Sequence, residues 1–171
     1  MPHPPPPLAT TPLRLERFFA GQVQCHGWFE DRFGRIRRRM AVTVEGHWDG
    51  HTLTLDEHFR HDDGSTDHRV WRLVPEGRER YRADTDGLVG PAIGMVDATS
   101  FRMRYRLRLS MGRHHLTVAF DDWMQLQTED VLLNRSTITK FGIRLGTVCL
   151  VFTRRAAAVA EATAPADAVA A

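Results

Sequence analysis

Residues 100–110 read SFRMRYRLRLS, and arginine alternates in this stretch with large apolar residues. A strand places successive side chains on opposite faces, so Arg102, Arg104, Arg106 and Arg108 share one face and the apolar residues share the other. This alternation of arginine and apolar residues predicts a strand with one buried face and one solvated face. Arginine stems also cover apolar surface while their guanidinium groups stay in water.

The same period of two continues through most of the chain. Asp-Gly and other glycine-containing turns interrupt it at intervals of roughly 8 to 14 residues, which is typical of an antiparallel meander. The pattern predicts an all-β fold, an antiparallel up-and-down, lipocalin-like β-barrel of about 8–10 strands, because closure removes exposed edges. A barrel of this size is filled by side chains or encloses one small ligand. Residues 12–19 predict a short N-terminal helix, with Thr11 as its cap.

The chain has 171 residues, enough for one domain with a sizeable core. The proline-rich stretch 1–14 is predicted to be a disordered N-terminal tail. Residues 15–155 are predicted to form the single barrel domain. The alanine-rich stretch 156–171 is predicted to be a flexible C-terminal tail.

Charge and composition narrow the classes of partner. The formal net charge is +2, and Lys140 is the only lysine, so the arginines resemble a compositional bias more than a phosphate-binding surface. We therefore expect no nucleic-acid partner and no cofactor, and we leave an anionic membrane surface and the oligomeric state open. No apolar run approaches the ~18 residues of a transmembrane span, and no secretory signal is recognisable, so the sequence as written predicts a cytoplasmic protein.

The last third of the chain holds the densest group of polar residues. Alternation places Asp122 on the same face as Val118 and Phe120, which puts a carboxylate inside the barrel. A buried carboxylate needs a hydrogen-bonding cation, and Arg135 and Lys140 are the nearby candidates. Two interpretations stay open: an internal ion pair that fixes strand register, or a polar anchor for the head group of a ligand.

Aromatic residues would supply the rest of a ligand pocket, since such pockets are mostly apolar with a few polar groups. The tryptophans can equally serve as core or barrel-end residues. The predicted ligand-binding residues are Trp28, Trp71, Tyr105, Asp122, Trp123, Asn134, Arg135 and Lys140.

No catalytic residue and no metal ligand is predicted. The chain contains no nucleophile elbow, phosphate loop or dinucleotide fingerprint. The pairs Asp56-Glu57 and Asp121-Asp122 alternate across a strand and cannot act together on one bond. A histidine-rich region between residues 47 and 68 matches no metal-binding spacing. Cys25 and Cys149 are interpreted as two small buried residues, with a single disulfide bridge as the open alternative.

Several motifs together carry a family resemblance over residues 16–154. They are FFAG near the start, the WDG corner with TLTLDEHF, DDWMQLQ, and VLLNRSTITKFGIRLGTVCLVF. In these the chain resembles the domain of unknown function 3833 family of bacterial proteins. The resemblance implies a lipocalin-like barrel, no assigned activity, and lipoprotein attachment in many members. No lipobox cysteine precedes Phe18, so an envelope location requires a true start that carries a signal peptide.

The leading functional hypothesis is the binding of a small hydrophobic or lipid-like ligand in the barrel interior. The alternatives are a structural or scaffold module at the bacterial envelope, and an enzyme that acts on a lipid in the same cavity. Whether the protein is an enzyme is left open, with a non-catalytic role favoured.

Overall fold

The alternating segments form ten antiparallel strands that close into a barrel, in the order β1-β10-β9-β8-β7-β6-β5-β4-β3-β2. The structure is a computed structural model that describes residues 4–154. The predicted C-terminal tail 156–171 lies outside the described residues. The elements are α1 (Leu15–Phe18), β1 (Gly21–Asp31), β2 (Ile36–Trp48), β3 (Leu53–His61), β4 (Thr66–Pro75), β5 (Arg80–Asp84), β6 (Ala92–Asp97), β7 (Ser100–Met111), β8 (His114–Thr128), β9 (Val131–Lys140) and β10 (Ile143–Arg154).

The predicted barrel is confirmed, and buried and exposed residues alternate along its strands. Along β7, Phe101, Met103, Tyr105 and Leu107 are buried, while the four arginines that alternate with them are exposed. Glycines with positive φ occupy the predicted turns, for example Gly64 between β3 and β4. A residue with a Cβ is strained in that conformation, which is why glycine ends these strands.

One end of the barrel is closed by α1 and the segment before it. Leu13, Leu15, Phe18 and Phe19 are at most 3% exposed, and the ring of Phe19 packs edge-on against that of Phe152 at 5.4 Å. Gly46 makes this packing possible, because a Cβ there would overlap the Phe19 carbonyl. These contacts make the end a continuous apolar core.

The helix is shorter than the sequence predicts. It begins at Leu15 instead of Pro12, and Arg14 at its N-cap is extended, with φ −127° and no side-chain cap. The reason is a tertiary contact: the Leu13 amide donates to the Ala98 carbonyl at 2.8 Å and holds the preceding chain extended. The Ala9 amide likewise donates to the Gln127 carbonyl at 2.8 Å. The last residues before the helix therefore follow the barrel wall.

The other end has no such cover among the described residues, where α1 is the only helix. The inward-facing residues nearest this open end are partly exposed, in contrast to the fully buried residues beneath α1. They include Met40, Phe59, Leu109 and Phe120. The apolar interior is thus fully buried at the end beneath α1 and partly exposed at the other, which we call the open end.

The two cysteines do not contact each other. Cys25 is buried and lies opposite Phe152, whereas Cys149 lies opposite Trp28 on the outward face of β10. Both are free thiols, so the disulfide alternative does not apply to this structure. Burial raises the pKa of both thiols, which favours their protonated form.

Candidate ligand-binding site in the barrel interior

The inner wall of β7 and β8 carries a buried polar contact among aromatic rings. The Tyr105 hydroxyl donates to Asp122 Oδ2 at 2.9 Å. Trp71 packs edge-on against the Tyr105 ring at 5.1 Å, and Phe120 stacks on it at 5.0 Å with the planes 5° apart. Two rings from β4 and β8 therefore fix the orientation of Tyr105, and Tyr105 in turn fixes Asp122.

Asp122 is buried without enough hydrogen-bond partners. It is 7% exposed, and its second carboxyl oxygen, Oδ1, has no partner among the described residues. Ser136 lies directly opposite on β9. Its Oγ makes no hydrogen bond of good geometry, although the hydroxyl group still lowers the pKa of Asp122. Burial outweighs the Ser136 and Tyr105 hydroxyl groups and raises the pKa of Asp122 to about 6. A buried acceptor without a well-formed hydrogen bond costs about 1–3 kcal/mol, so Oδ1 would gain from a donor, either the Ser136 hydroxyl or a ligand.

A second carboxyl group faces the same interior from the opposite wall. Glu57 follows Leu53 and Leu55 on the inward face of β3, and Arg69 is its cross-strand neighbour on β4. Burial raises the pKa of Glu57 to about 7, Arg69 opposes this rise, and the negative charge of Asp122 adds to it. The two carboxyl groups are thus close enough to interact electrostatically through the interior.

We call Glu57, Arg69, Tyr105, Asp122 and Ser136 the interior polar cluster. It combines two carboxyl groups, one guanidinium group and two hydroxyl groups inside a largely apolar barrel. Burial also raises the pKa of Tyr105 well above its usual value, so its hydroxyl remains a neutral donor. The arrangement offers more acceptors than donors to any molecule that enters.

The structure separates the sequence-predicted site residues into two groups. Trp71, Tyr105, Asp122 and Asn134 are buried on the inward face of the wall. Trp28, Trp123 and Arg135 lie on the outer face, where Trp28 and Trp123 are 36% and 46% exposed. Lys140 ends β9 at the open end, with Nζ 5.1 Å from the centre of the Phe141 ring.

The predicted cationic partners of Asp122 need correction. Arg135 alternates with the inward-facing Asn134 and Ser136, so its side chain projects to solvent. Tyr105 supplies the hydrogen bond instead, and the cation that acts on Asp122 is Arg69.

Sequence reasoning missed Glu57, Arg69 and Ser136. For Glu57 a signal existed, because alternation in LTLDEHF groups it with Leu53 and Leu55. Arg69 had no comparable signal, because an arginine in a strand usually faces solvent.

A groove of about 580 Å³ lies on the outside of the same wall. Its floor includes Ala119, and its sides carry Arg104, Arg106 and Asp121. Arg104 is already paired with Asp121 at 3.2 Å. Tyr105 of the interior polar cluster and Phe120 also line the groove, so it runs along the wall that carries the Tyr105–Asp122 contact.

The comparisons with known proteins agree with this architecture. Residues 8–154 match the family described as protein of unknown function (DUF3833). The chain belongs to this family. No curated protein matches the chain.

Solved structures that are similar to the chain share little of its sequence. The S-type phycobiliprotein lyase CPES from Guillardia theta has a TM-score of 0.63 and 11% identity, covering 85% of this chain and 94% of that chain. A de novo designed fluorescence-activating β-barrel has a TM-score of 0.46 and 12% identity, covering 84% and 99%. A redesigned β-barrel bound to DFHBI has a TM-score of 0.44 and 11% identity, covering 84% and 100%. The similarity to the lyase concerns the fold alone.

Proposed function

We propose that the barrel binds a small amphipathic molecule through its open end, with the polar head at the interior polar cluster. The observation that carries the proposal is the buried Asp122 carboxyl group, whose Oδ1 has no hydrogen bond of good geometry among the described residues. A protein interior rarely leaves such an acceptor unpaired, and a ligand could supply the donor in competition with the Ser136 hydroxyl. The Tyr105–Asp122 contact already holds the acceptor in a fixed position.

The open half of the barrel suits the apolar part of such a molecule. Met40, Phe59 and Phe120 face inward there and are only partly buried. A hydrocarbon chain lying against them would remove apolar surface from water at about 25 cal/mol per Å². The closed end beneath α1 would set the depth of entry.

The charges of the interior polar cluster favour a particular head group. Two carboxyl groups face one guanidinium group, so an ionised fatty-acid carboxylate would meet net repulsion when Glu57 and Asp122 are ionised. A hydroxyl, amine or amide head group could instead donate to Asp122 Oδ1. We therefore favour a lipid-like ligand with a hydrogen-bond donor over an ionised fatty acid.

Binding can be tested with matched fluorescent probes: a long-chain alcohol and the carboxylic acid of the same chain length, at about pH 8. We expect the alcohol to bind more tightly by about tenfold. Asp122→Leu should weaken alcohol binding by a similar factor, because it removes the acceptor while leaving the barrel folded. Asp121→Asn, on the outer face, is the matched control.

Two further measurements complete this test. Native mass spectrometry of the purified protein should show a copurifying lipid-like mass. Met40→Trp should reduce binding of both probes by narrowing the open half. A folded protein that binds neither probe and carries no additional mass would overturn the proposal.

A second candidate function, a module at an anionic membrane surface, is favoured by the hairpin tips at the open end. Phe33, Ile36, Phe141 and Ile143 are 71%, 54%, 92% and 58% exposed. We call these four residues the rim patch. Exposed apolar groups clustered on one side of a protein mark interaction sites.

The two tips are adjacent and rich in cations. β1 pairs with β10, and Arg144 Nη2 donates to the Arg32 carbonyl at 3.3 Å. The nearby cations include Arg32, Arg35, Lys140 and Arg144. Apolar side chains beside cations suit an anionic bilayer interface, where each cation near the surface adds about 1 kcal/mol. Among the described residues no helix is long and apolar enough to cross a membrane.

Vesicle co-sedimentation separates this candidate from ligand binding. Vesicles with anionic lipid should bind the protein and neutral vesicles should not, and added salt should weaken binding. The double variant Phe33→Ser, Phe141→Ser should lose binding, whereas Leu8→Ser should retain it, because Leu8 is 76% exposed but lies outside the rim patch. Equal binding by both variants would remove this candidate without affecting the interior site.

A further inference from the structure

We infer that Asp56, His58 and His68 form a binding site for a divalent transition metal on the outer face of the barrel. Asp56 and His58 are two residues apart on β3, so both project outward. His68 is the cross-strand partner of His58 on β4. The site lies on the opposite side of the wall from the interior polar cluster.

The three side chains converge on one point. His58 Nε2 lies 3.0 Å, and His68 Nε2 2.6 Å, from the same atom, Asp56 Oδ1. The two imidazole rings stack at 4.7 Å between centroids, with an interplanar angle of 22°. One potential ligand atom from each residue lies within 4.8 Å of the other two. Small rotations of side chains would therefore bring all three to a common ion.

A neighbouring carboxylate gives an independent reason to place a cation here. Glu45 on β2 is the cross-strand partner of Asp56, and it also faces outward and is exposed. Like charges directly opposite each other destabilise a pair of strands. A divalent ion held by Asp56 would turn this repulsion into an attraction and offers Glu45 a role as a further ligand.

The donor set determines the class of metal. Two imidazole nitrogens and a carboxylate oxygen suit Zn²⁺, Co²⁺, Ni²⁺ or Cu²⁺, whereas Mg²⁺ and Ca²⁺ prefer oxygen ligands alone. Three protein ligands leave at least one coordination position for water or an external group. The side chains of Asp56, His58 and His68 are 41%, 57% and 55% exposed, so an ion is readily reached from solvent.

The sequence predicts no metal site here, because the spacing of the histidines matches no known motif. Only the register between β3 and β4 places His58 beside His68. A strand pair thus supplies what the helix supplies in an H-x-x-x-H arrangement, two imidazoles on one face at a fixed distance.

The test uses the full chain after treatment with a chelator, titrated with Zn²⁺ by calorimetry and with Co²⁺ by visible absorption. We expect one equivalent of either ion to bind, with cobalt ligand-field bands that report nitrogen ligands. His68→Gln should weaken binding by at least about tenfold. His47→Gln is the matched control, since His47 is an exposed outward-facing histidine of β2 outside the site.

Glu45→Gln sharpens the test. It should weaken binding less than His68→Gln does, because Glu45 acts through its charge or as an additional ligand. Excess Mg²⁺ or Ca²⁺ should not displace Co²⁺. Absence of binding at millimolar metal, or equal binding by His68→Gln and His47→Gln, would overturn the proposal.

Discussion

Asp121 and Asp122 are neighbours in the chain and lie on opposite sides of the same wall. Outside, hydrogen bonds from Arg102 Nε at 2.8 Å and Nη2 at 2.6 Å hold the pKa of Asp121 below its usual range. Inside, burial raises the pKa of Asp122 to about 6, and the Tyr105 hydroxyl donates to it at 2.9 Å. Two identical side chains thus differ in pKa because one faces water and cations and the other faces an apolar interior.

The largest expected difference between the two faces is in packing. Phe101 is 1% exposed and contacts the Tyr81 ring at 5.9 Å, so Phe101→Ala should lower the free energy of unfolding by about 3–5 kcal/mol. An outer-face residue of the same strand gives the control: Arg104→Ala should leave the denaturation midpoint nearly unchanged. Chemical denaturation of both variants measures the contrast, and similar midpoints would contradict the assignment of the two faces.

The next effect is the dependence of stability on pH. Glu57 and Asp122 have folded-state pKa values of about 7 and about 6, above their unfolded values. The stability they contribute is therefore fully present below about pH 4 and is lost as pH rises through these values. Between about pH 5 and about pH 8 we expect the free energy of unfolding to fall by ~4 kcal/mol from these two groups.

The variants for this prediction follow from the same comparison. The double variant Glu57→Gln, Asp122→Asn should remove most of the slope in that interval. Asp121→Asn should retain it, because a lowered pKa affects stability only at more acidic pH. A slope that the double variant leaves unchanged would mean that the interior carboxyl groups titrate normally.

A smaller effect is expected at the contact that positions Asp122. Tyr105→Phe removes the hydroxyl donor and leaves both carboxyl oxygens of Asp122 without a hydrogen bond of good geometry. We expect this to lower the free energy of unfolding by about 1–2 kcal/mol. The pKa of Asp122 should rise further, since loss of a donor to the carboxylate favours the protonated form. An NMR titration of the Asp122 side-chain carbon checks this, and an unchanged or lower pKa would argue against the hydrogen bond.

The smallest change in the free energy of unfolding is expected for a substitution on the outer face of the barrel. Asp121→Asn removes ion pairs with Arg102 and Arg104 that are surrounded by water, and should cost less than about 1 kcal/mol. Added salt should reduce the difference between wild type and variant. A loss as large as that of Tyr105→Phe would show that the outer ion pairs contribute more than solvent screening allows.

Much of the fold could be predicted because its signals are local. The alternation in β7 and the glycine turns act over two to four residues, and the structure confirms both. The start of α1 could not be predicted, because the Leu13 amide bonds to Ala98, a residue distant in sequence. Within the site, the alternation along β8 predicted that Asp122 points inward. It did not predict which residues form a hydrogen bond or an ionic interaction with Asp122.

The sequence by itself determined which side chains face inward, because the direction of a side chain in a strand depends only on its position in the alternation. It therefore determined the barrel, the solvated arginines of β7 and the buried carboxyl group of Asp122. Only the tertiary structure decided that Glu57 and Arg69 share the interior with Asp122, and that His58 lies beside His68. Those pairings depend on strand register and on the closure of the barrel, which bring together residues that are distant in sequence. The local sequence around each residue does not predict such contacts.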